Sequence, residues 1–320
     1  MSSKNTLSGV ACGIGAGVLW GLAFIAPNAV EPYSAVDLVM LNYTTFGVVS
    51  LILMGVSARF RPTGMTKRQL KTGLFLGIFG YVLYYICVAF SVRLAGPTIA
   101  PLIIGALPLT LAIYGNFKEK NANNRLAWHW LLIPLCFLFV GLICIYASSL
   151  LQPSTLQKAH DLILGSILAF GAHAIWFVYA LINSRIMLDE NAPSELSWTS
   201  IQGIGAIIGV MPLIVIASIF GLSNLPTIGI WHSDGARFIF WGMFVGIAGS
   251  WGGQYLWSMA SKRLSLALSA QLIVSETIFG LIYGFLWFAR WPTPLEMIGA
   301  SLLISGVATG VWMMSAKQNA

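Results

Sequence analysis

Long apolar runs separated by short polar segments dominate the pattern of this chain. Each run is long enough to cross a bilayer as an α-helix, which takes about 20 residues. We therefore predict an all-α integral membrane protein with ten transmembrane helices. The runs are 8–28, 36–58, 70–91, 97–116, 127–148, 162–184, 197–220, 236–260, 266–288 and 294–315.

Lysines and arginines in the polar segments orient this stack of helices, because cytoplasmic segments are enriched in basic residues. When both termini are placed in the cytoplasm, only Arg93, Lys158, Arg237 and Arg290 of the 17 basic residues lie outside. The charge pattern therefore predicts cytoplasmic N- and C-termini, and ten spans is consistent with both termini lying on one side.

The longest outside segment, 149–161, falls near the middle of the chain and leaves five runs on each side. Halves with an odd number of spans enter the membrane from opposite sides, as in the inverted repeats of many secondary transporters. We therefore predict two inverted five-helix repeats, residues 1–155 and 156–320.

An internal match supports this division. GLFLGIFG at 73–80 corresponds to GMFVGIAG at 242–249, and at the same offset Arg93 falls on Lys262. Both basic residues are predicted to lie in tight loops on opposite sides of the membrane. The match indicates that the third and eighth spans are equivalent.

Prolines mark the fourth predicted span, which contains Pro97, Pro101 and Pro108. Each proline removes an amide donor and disturbs the helix, which a membrane tolerates only where protein or a cavity satisfies the freed carbonyls. The repeat pairs the fourth span with the ninth. We expect both to line the middle of the protein.

The composition excludes several classes of protein. Hydrophobic residues make up 58% of the chain and charged residues 8%, against about 25% charged in a soluble domain. The net charge of +7 comes from short loops rather than one basic face, so we expect no nucleic-acid partner. The four cysteines lie inside apolar runs without metal-site spacing, and we expect neither metal nor cofactor. Because no P-loop is present, ATP-driven transport is disfavoured.

The chain resembles the drug/metabolite transporter superfamily, and within it the bacterial EamA-type ten-helix carriers. The residues that carry the resemblance are VLWGLAFIAP at 18–27, the paired loops around Arg93 and Lys262, and the closing stretch at 269–307. The resemblance implies a basket of ten helices around a central cavity, in a bacterial inner membrane, working by alternating access. It also implies substrates such as amino acids, nucleotide sugars and other polar metabolites.

Glu276 lies at the midpoint of the ninth predicted span. Ionisable groups at this depth are costly and are usually functional, although a protonated carboxyl group can also serve as a structural hydrogen-bonding group. Burial favours the neutral form of a carboxyl group, which makes proton exchange near neutral pH possible. The EamA pattern places its glutamate near the end of the ninth span, where this chain has Arg290. The resemblance therefore assigns Glu276 no role.

His173 is the only histidine inside a predicted span. A core histidine satisfied by a backbone carbonyl is the ordinary case, but imidazole titrates close to neutral pH and is suited to proton transfer. Both interpretations stay open.

Further polar and aromatic residues occur where a soluble core would have leucine. Each aromatic residue is more often packing than ligand contact, but their density in the third and eighth spans favours a binding surface for a cationic or amphiphilic molecule. The remaining candidates for substrate binding or proton coupling are Trp20, Asn42, Tyr81, Tyr84, Tyr85, Trp176, Tyr179, Gln202, Trp251, Gln254, Tyr255 and Gln271.

Together these patterns predict a secondary transporter, an exporter of small polar or amphiphilic metabolites coupled to protons, and not an enzyme. One alternative is an uptake carrier or exchanger for a cationic or aromatic small molecule. Another is an intramembrane enzyme that uses His173 and Glu276. The expected partners are a small-molecule substrate, membrane lipid and protons, and the expected state is a monomer or homodimer.

Overall fold

The computed structural model describes residues 3–118, 128–150, 156–264 and 266–318. Within these ranges the regular elements are helices, and no strand occurs. The α-helices are α1 Ser3–Gly21, α2 Ala26–Ala29, α3 Ala35–Val56, α4 Lys67–Gly77, α5 Tyr84–Ala95, α6 Ile99–Ile104, α7 Leu107–Lys118, α8 Trp128–Leu150, α9 Leu156–Met187, α10 Glu195–Phe220, α11 Leu225–Ile228, α12 Gly235–Phe244, α13 Gln254–Arg263, α14 Leu266–Trp287 and α15 Pro294–Gln318.

Two π-helical segments interrupt the runs that the sequence predicts as the third and eighth spans. The first, Ile78–Leu83, joins α4 to α5, and the second, Val245–Gly253, joins α12 to α13. Insertions of this kind are rare in helices and occur frequently at functional sites. Two short 3₁₀ helices complete the set, Leu22–Phe24 after α1 and Ala58–Phe60 after α3.

Side-chain caps set where several helices begin. Ser34 precedes α3 and accepts a hydrogen bond from the backbone of Asp37, whose carboxylate accepts one from the backbone of Ser34. Thr66 and Gln69 form the same reciprocal arrangement at α4. Such capping boxes satisfy amide donors that the first turn of a helix leaves free, so these starts are encoded locally.

Hydrogen bonds between connecting segments define two ends of the helical bundle. At end A, Ser223 donates to Asp37 Oδ1 and joins the start of α3 to the segment after α10. At end B, Gln69 Nε2 donates to the carbonyl oxygen of Asn191 over 2.9 Å and joins the start of α4 to the segment before α10. Since α10 runs from end B to end A, the two ends lie on opposite sides of the bundle.

Gly77 and Gly246 allow two pairs of helical segments to approach closely. A Cβ at Gly77 would lie 2.2 Å from the carbonyl oxygen of Gln202 on α10. One at Gly246 would lie 2.7 Å from the carbonyl oxygen of Asn42 on α3. No side chain fits at these distances, so both contacts require glycine, as is common where membrane helices pack.

The proline-rich fourth span is interrupted, as its prolines predict. Helix α6 ends at Ile104 and α7 begins at Leu107. Thr277 of α14 donates a 3.0 Å hydrogen bond to the carbonyl oxygen of Pro101. The disturbed span is therefore joined directly to the ninth run, which contains Glu276.

The membrane-spanning character of the chain is clear from its helices. Six described helical segments are long and apolar enough to cross a membrane, and three apolar helices are shorter. The six are Leu7–Phe24, Ala35–Val56, Lys67–Ala95, Ile99–Lys118, Ala159–Met187 and Glu195–Phe220, and the shorter three are Leu132–Ile145, Leu272–Trp287 and Pro294–Thr309. Large apolar side chains such as Ile52, Phe139 and Ile167 are exposed on the outside, where a lipid environment would cover them.

The count of ten spans stays a prediction, because the predicted eighth run is not among those segments. The predicted boundary between the halves, after residue 155, lies outside the described residues.

Candidate functional site

A cavity of about 40 Å³ lies between helices from both halves of the chain. This volume accommodates only a few water molecules. Its lining comes from α1, the 3₁₀ helix after it, α3, both π-helical segments, α5, α9 and α14. The lining residues are Leu19, Trp20, Ala23, Asn42, Tyr43, Tyr81, Tyr84, Tyr85, Trp176, Val245, Gly249, Ser250 and Glu276.

The structure brings half of the sequence-selected residues together at this cavity. They are Trp20, Asn42, Tyr81, Tyr84, Tyr85, Trp176 and Glu276. Six of the lining side chains are aromatic when Tyr43 is included, and they come from both halves of the chain.

Trp176 is the centre of the aromatic wall. Its ring lies edge-on to Trp20, with centroids 5.4 Å apart, and stacks on Tyr84 at 4.9 Å. Offset-stacked and edge-to-face arrangements are the favourable ones for aromatic pairs. Tyr43 completes the wall by an edge contact with Tyr85 at 6.0 Å.

Glu276 is the only carboxylate in the described lining, and neither lysine nor arginine accompanies it. Its side chain is 3% exposed, and Oε2 is buried without a hydrogen-bond partner among the described residues. An unpaired buried charge is very costly. The carboxyl group must therefore be neutral or bind a cation that enters the cavity.

Two polar side chains of the lining satisfy each other. Ser250 Oγ donates to Asn42 Oδ1 over 2.8 Å and links α3 to the second π-helical segment. Sequence reasoning selected Asn42 but missed Ser250. The repeat offset could have found it, because the offset pairs Ser250 with Tyr81.

Three candidates form a hydrogen-bond network behind the aromatic wall rather than lining the cavity. The hydroxyl of Tyr179 lies 2.9 Å from Gln202 Oε1 and 3.0 Å from Gln254 Oε1. It also lies 3.3 Å from the hydroxyl of Tyr81, which does line the cavity. One hydroxyl hydrogen cannot serve both glutamine oxygens. Because Gln202 Nε2 has no partner among the described residues, rotating this amide would let it donate to Tyr179.

His173 lies outside the cavity lining. Its Nδ1 is 3.0 Å from the carbonyl oxygen of Ile103, and its Nε2 is 3.0 Å from Thr110 Oγ1. The carbonyl oxygen can only accept, so Nδ1 carries a proton. Nε2 faces the Thr110 hydroxyl, which itself donates to the carbonyl oxygen of Leu107 over 2.9 Å. Both ring nitrogens thus face the broken fourth span rather than the cavity.

The remaining candidates lie elsewhere. Trp251 stacks on Tyr255 at 5.6 Å and contacts Phe60 of a 3₁₀ helix at 6.0 Å. Neither Trp251 nor Tyr255 lines the cavity. The side chain of Gln271 lies outside the described residues.

Neither a metal site nor a catalytic pair is evident. The described residues contain no group of three or more histidine, cysteine, aspartate or glutamate side chains placed to hold a metal ion. Glu276 lines the cavity and His173 does not, so the two titratable groups do not converge on one reacting position. This arrangement does not favour the intramembrane enzyme.

An ion pair lies at each end of the bundle. At end A, Arg93 Nη1 lies 3.2 Å from Glu31 Oε1. At end B, Lys262 Nζ lies 3.5 Å from Glu195 Oε2. We call these contacts the end A pair and the end B pair.

Comparison with known proteins agrees with this geometry. Residues 163–311 match the EamA-like transporter family. Inner membrane protein YtfF of Escherichia coli (strain K12) is 28% identical over 308 residues, which cover 95% of each chain. A solved crystal structure matches with a TM-score of 0.65 over 99% of both chains at 19% identity, which shows a shared fold. The resemblance read from the sequence is confirmed.

Proposed function

Since residues 163–311 match the EamA-like transporter family and the chain is similar to an inner membrane protein, we propose that it is a multi-pass inner membrane protein and a secondary carrier of small polar or amphiphilic molecules. The carrier works by alternating access, and its binding site is the aromatic cavity that contains Glu276. The observation that carries this proposal is a buried carboxyl oxygen that has no partner among the described residues, in a cavity built by both halves of the chain.

The proposed architecture is ten helices in two inverted repeats, 1–155 and 156–320. The two π-helical segments support it, because the offset that aligns 73–80 with 242–249 places Ile78–Leu83 within Val245–Gly253. An interruption repeated at equivalent positions is difficult to explain without an internal duplication.

Contacts of the aligned glycines support the same architecture. Gly77 meets the carbonyl oxygen of Gln202 on α10, and its counterpart Gly246 meets that of Asn42 on α3. In a five-plus-five arrangement, α3 and α10 are the second helices of their halves. Equivalent glycines therefore contact equivalent helices.

The pairs at the two ends support alternating access. Arg93 also donates to the carbonyl oxygen of Tyr33 over 2.6 Å, and Lys262 also donates to that of Pro193 over 3.4 Å. At end A, Arg93 thus holds the segment before α3. At end B, Lys262 holds the segment before α10 in the same way. In this proposal, the end A pair breaks when the cavity opens toward end A, and the end B pair breaks when it opens toward end B.

Coupling to protons is proposed to occur at Glu276. A carboxyl group that is neutral when the cavity is empty and ionised when a substrate is bound links substrate movement to a proton gradient. A proton gradient directed into the cell then drives export. The orientation that goes with this direction has both termini in the cytoplasm.

Transport by the purified protein tests the proposal. We expect proteoliposomes to accumulate at least one class of a radiolabelled metabolite panel under a pH gradient, and to show counterflow without one. The Glu276→Gln variant keeps the shape of the side chain but cannot ionise, so it should fold and lose the pH-driven accumulation. Absence of flux and counterflow for the whole panel, with wild-type protein correctly folded, would contradict the carrier.

A further inference from the structure

We propose that the cavity, once it opens toward one side of the membrane, takes a monovalent organic cation with a flat apolar body, and that one proton leaves Glu276 for each cation bound. This inference rests on the proposed carrier function and names its substrate class. It follows from the charge of the cavity lining, from the aromatic rings of that lining and from its hydrogen-bond donors.

The charge of the described lining comes from one group. Glu276 contributes one negative charge when ionised, and the lining contains no basic residue. The titratable groups that face it are tyrosines on α3, α5 and the first π-helical segment, namely Tyr43, Tyr81, Tyr84 and Tyr85. The other titratable side chains described on α14 and on the helices packed against it do not line the cavity, namely Cys12, Tyr114, Lys118, Tyr255, Lys262, Arg263, Tyr283 and Glu296. Either a proton or a single positive charge of the occupant therefore balances the site.

The walls suit a cation with an aromatic or other flat body. Trp176 is stacked between Tyr84 at 4.9 Å and Tyr179 at 4.3 Å and lies edge-on to Trp20 at 5.4 Å. Its own faces are therefore covered, and Trp20 and Tyr84 are the neighbouring rings that can contact an occupant. Aromatic faces attract cations, and tryptophan does so most strongly. Apolar parts of the occupant would pack on the same rings. The combination of aromatic rings with one carboxylate resembles the cages that bind quaternary ammonium groups.

The donors of the site do not suit an anion. Ser250 donates to Asn42, and Tyr85 donates to the carbonyl oxygen of Ala23 over 3.1 Å, so these donors are engaged. Trp176 Nε1 is buried without a partner among the described residues and can bind a neutral oxygen of the substrate. The other donors of the described lining, among them the hydroxyls of Tyr43 and Tyr84, are neutral as well. Neutral donors without a basic side chain do not offset the cost of desolvating a carboxylate, so a zwitterion binds less well than the matching cation.

The exchange is balanced in charge. The neutral carboxyl group releases a proton to the aqueous side that is open, and the carboxylate that remains pairs with the incoming cation. One positive charge moves each way in a full cycle. Transport of a monovalent cation is therefore driven by a pH gradient and does not respond to the membrane potential.

A matched pair of probes tests this substrate class. Trimethyl(2-phenylethyl)ammonium is a permanent cation, and N,N,N-trimethylphenylalanine adds only a carboxylate to it. We measure binding by calorimetry and proton release with a pH indicator, in purified protein between pH 5 and pH 9. We expect the cation to bind about tenfold more tightly than the zwitterion, and to release close to one proton at pH values where Glu276 is protonated.

Variants separate the contributions of charge and ring. Glu276→Gln should abolish proton release and weaken cation binding about tenfold, whereas Glu276→Asp should retain both effects. Trp20→Leu should weaken cation binding and Trp20→Phe should largely preserve it, which keeps the test decisive if the glutamine variant fails to fold. Tighter binding of the zwitterion, or cation binding without proton release at every pH, would overturn the inference. Counterflow of a zwitterion by wild-type protein would overturn the substrate class while the carrier function stands.

Discussion

At the scale of single residues, the sequence indicates how deep a side chain lies in the membrane but not which other side chains it contacts. Glu276 and the aromatic lining could be selected because carboxylates and dense rings are uncommon in apolar runs. Gln202 and Gln254 were selected because polar side chains are also uncommon in apolar runs. Both, however, form hydrogen bonds with Tyr179 behind the cavity wall. The direction in which a side chain points around its helix depends on tertiary packing, which the apolar pattern of a membrane helix does not encode.

The hydroxyl of Tyr179 gives a prediction at this scale. Tyr179→Phe removes the hydroxyl shared by Gln202 and Gln254 and leaves a buried amide group of each glutamine without this partner. The free energy of unfolding should fall by about 1–3 kcal/mol, seen as a lower midpoint of thermal unfolding in detergent. Tyr255→Phe is the matched control, because its ring stacks on Trp251 and none of the described contacts uses its hydroxyl. Equal midpoints for the two variants would show that the network contributes no stability.

At the scale of helices, local chemistry predicts some interruptions and not others. The break between α6 and α7 was predictable because Pro97, Pro101 and Pro108 remove amide donors. The two π-helical segments contain no proline and lie in glycine-rich runs, so nothing in their residues distinguishes them from ordinary helix. The offset that aligns 73–80 with 242–249 is visible in the sequence, but the interruptions themselves are seen only in the structure.

A prediction at this scale concerns Gly77. In Gly77→Ala the new Cβ would lie 2.2 Å from the carbonyl oxygen of Gln202, so α4 and α10 must move apart. We expect a loss of about 1–3 kcal/mol in the free energy of unfolding, measured by denaturant titration in detergent. A Cβ at Gly55 meets nothing within 4 Å. Gly55→Ala should therefore be neutral or slightly stabilising, and a comparable loss there would refute the close-packing explanation.

At the scale of the whole molecule, apolar run lengths and the positions of basic residues predict a multi-pass helical membrane protein and its family resemblance. They do not predict the hydrogen bonds and ion pairs that hold the connecting segments together. The end A pair joins residues 62 positions apart and the end B pair residues 67 apart, and no local pattern connects such partners. These contacts bear most directly on how the cavity opens.

Access to the cavity from each side of the membrane tests alternating access most directly. A cysteine in place of Ser250, in a background without native cysteines, would report on the cavity through its rate of labelling by an impermeant maleimide. Membrane vesicles of both orientations give the rate from end A and from end B. Arg93→Ala should raise labelling from end A and lower it from end B, and Lys262→Ala should do the reverse. Because exposed ion pairs contribute less than about 1 kcal/mol, the expected change is about two- to fivefold. Increased labelling from the same side in both variants, or unchanged rates in both, would contradict the account.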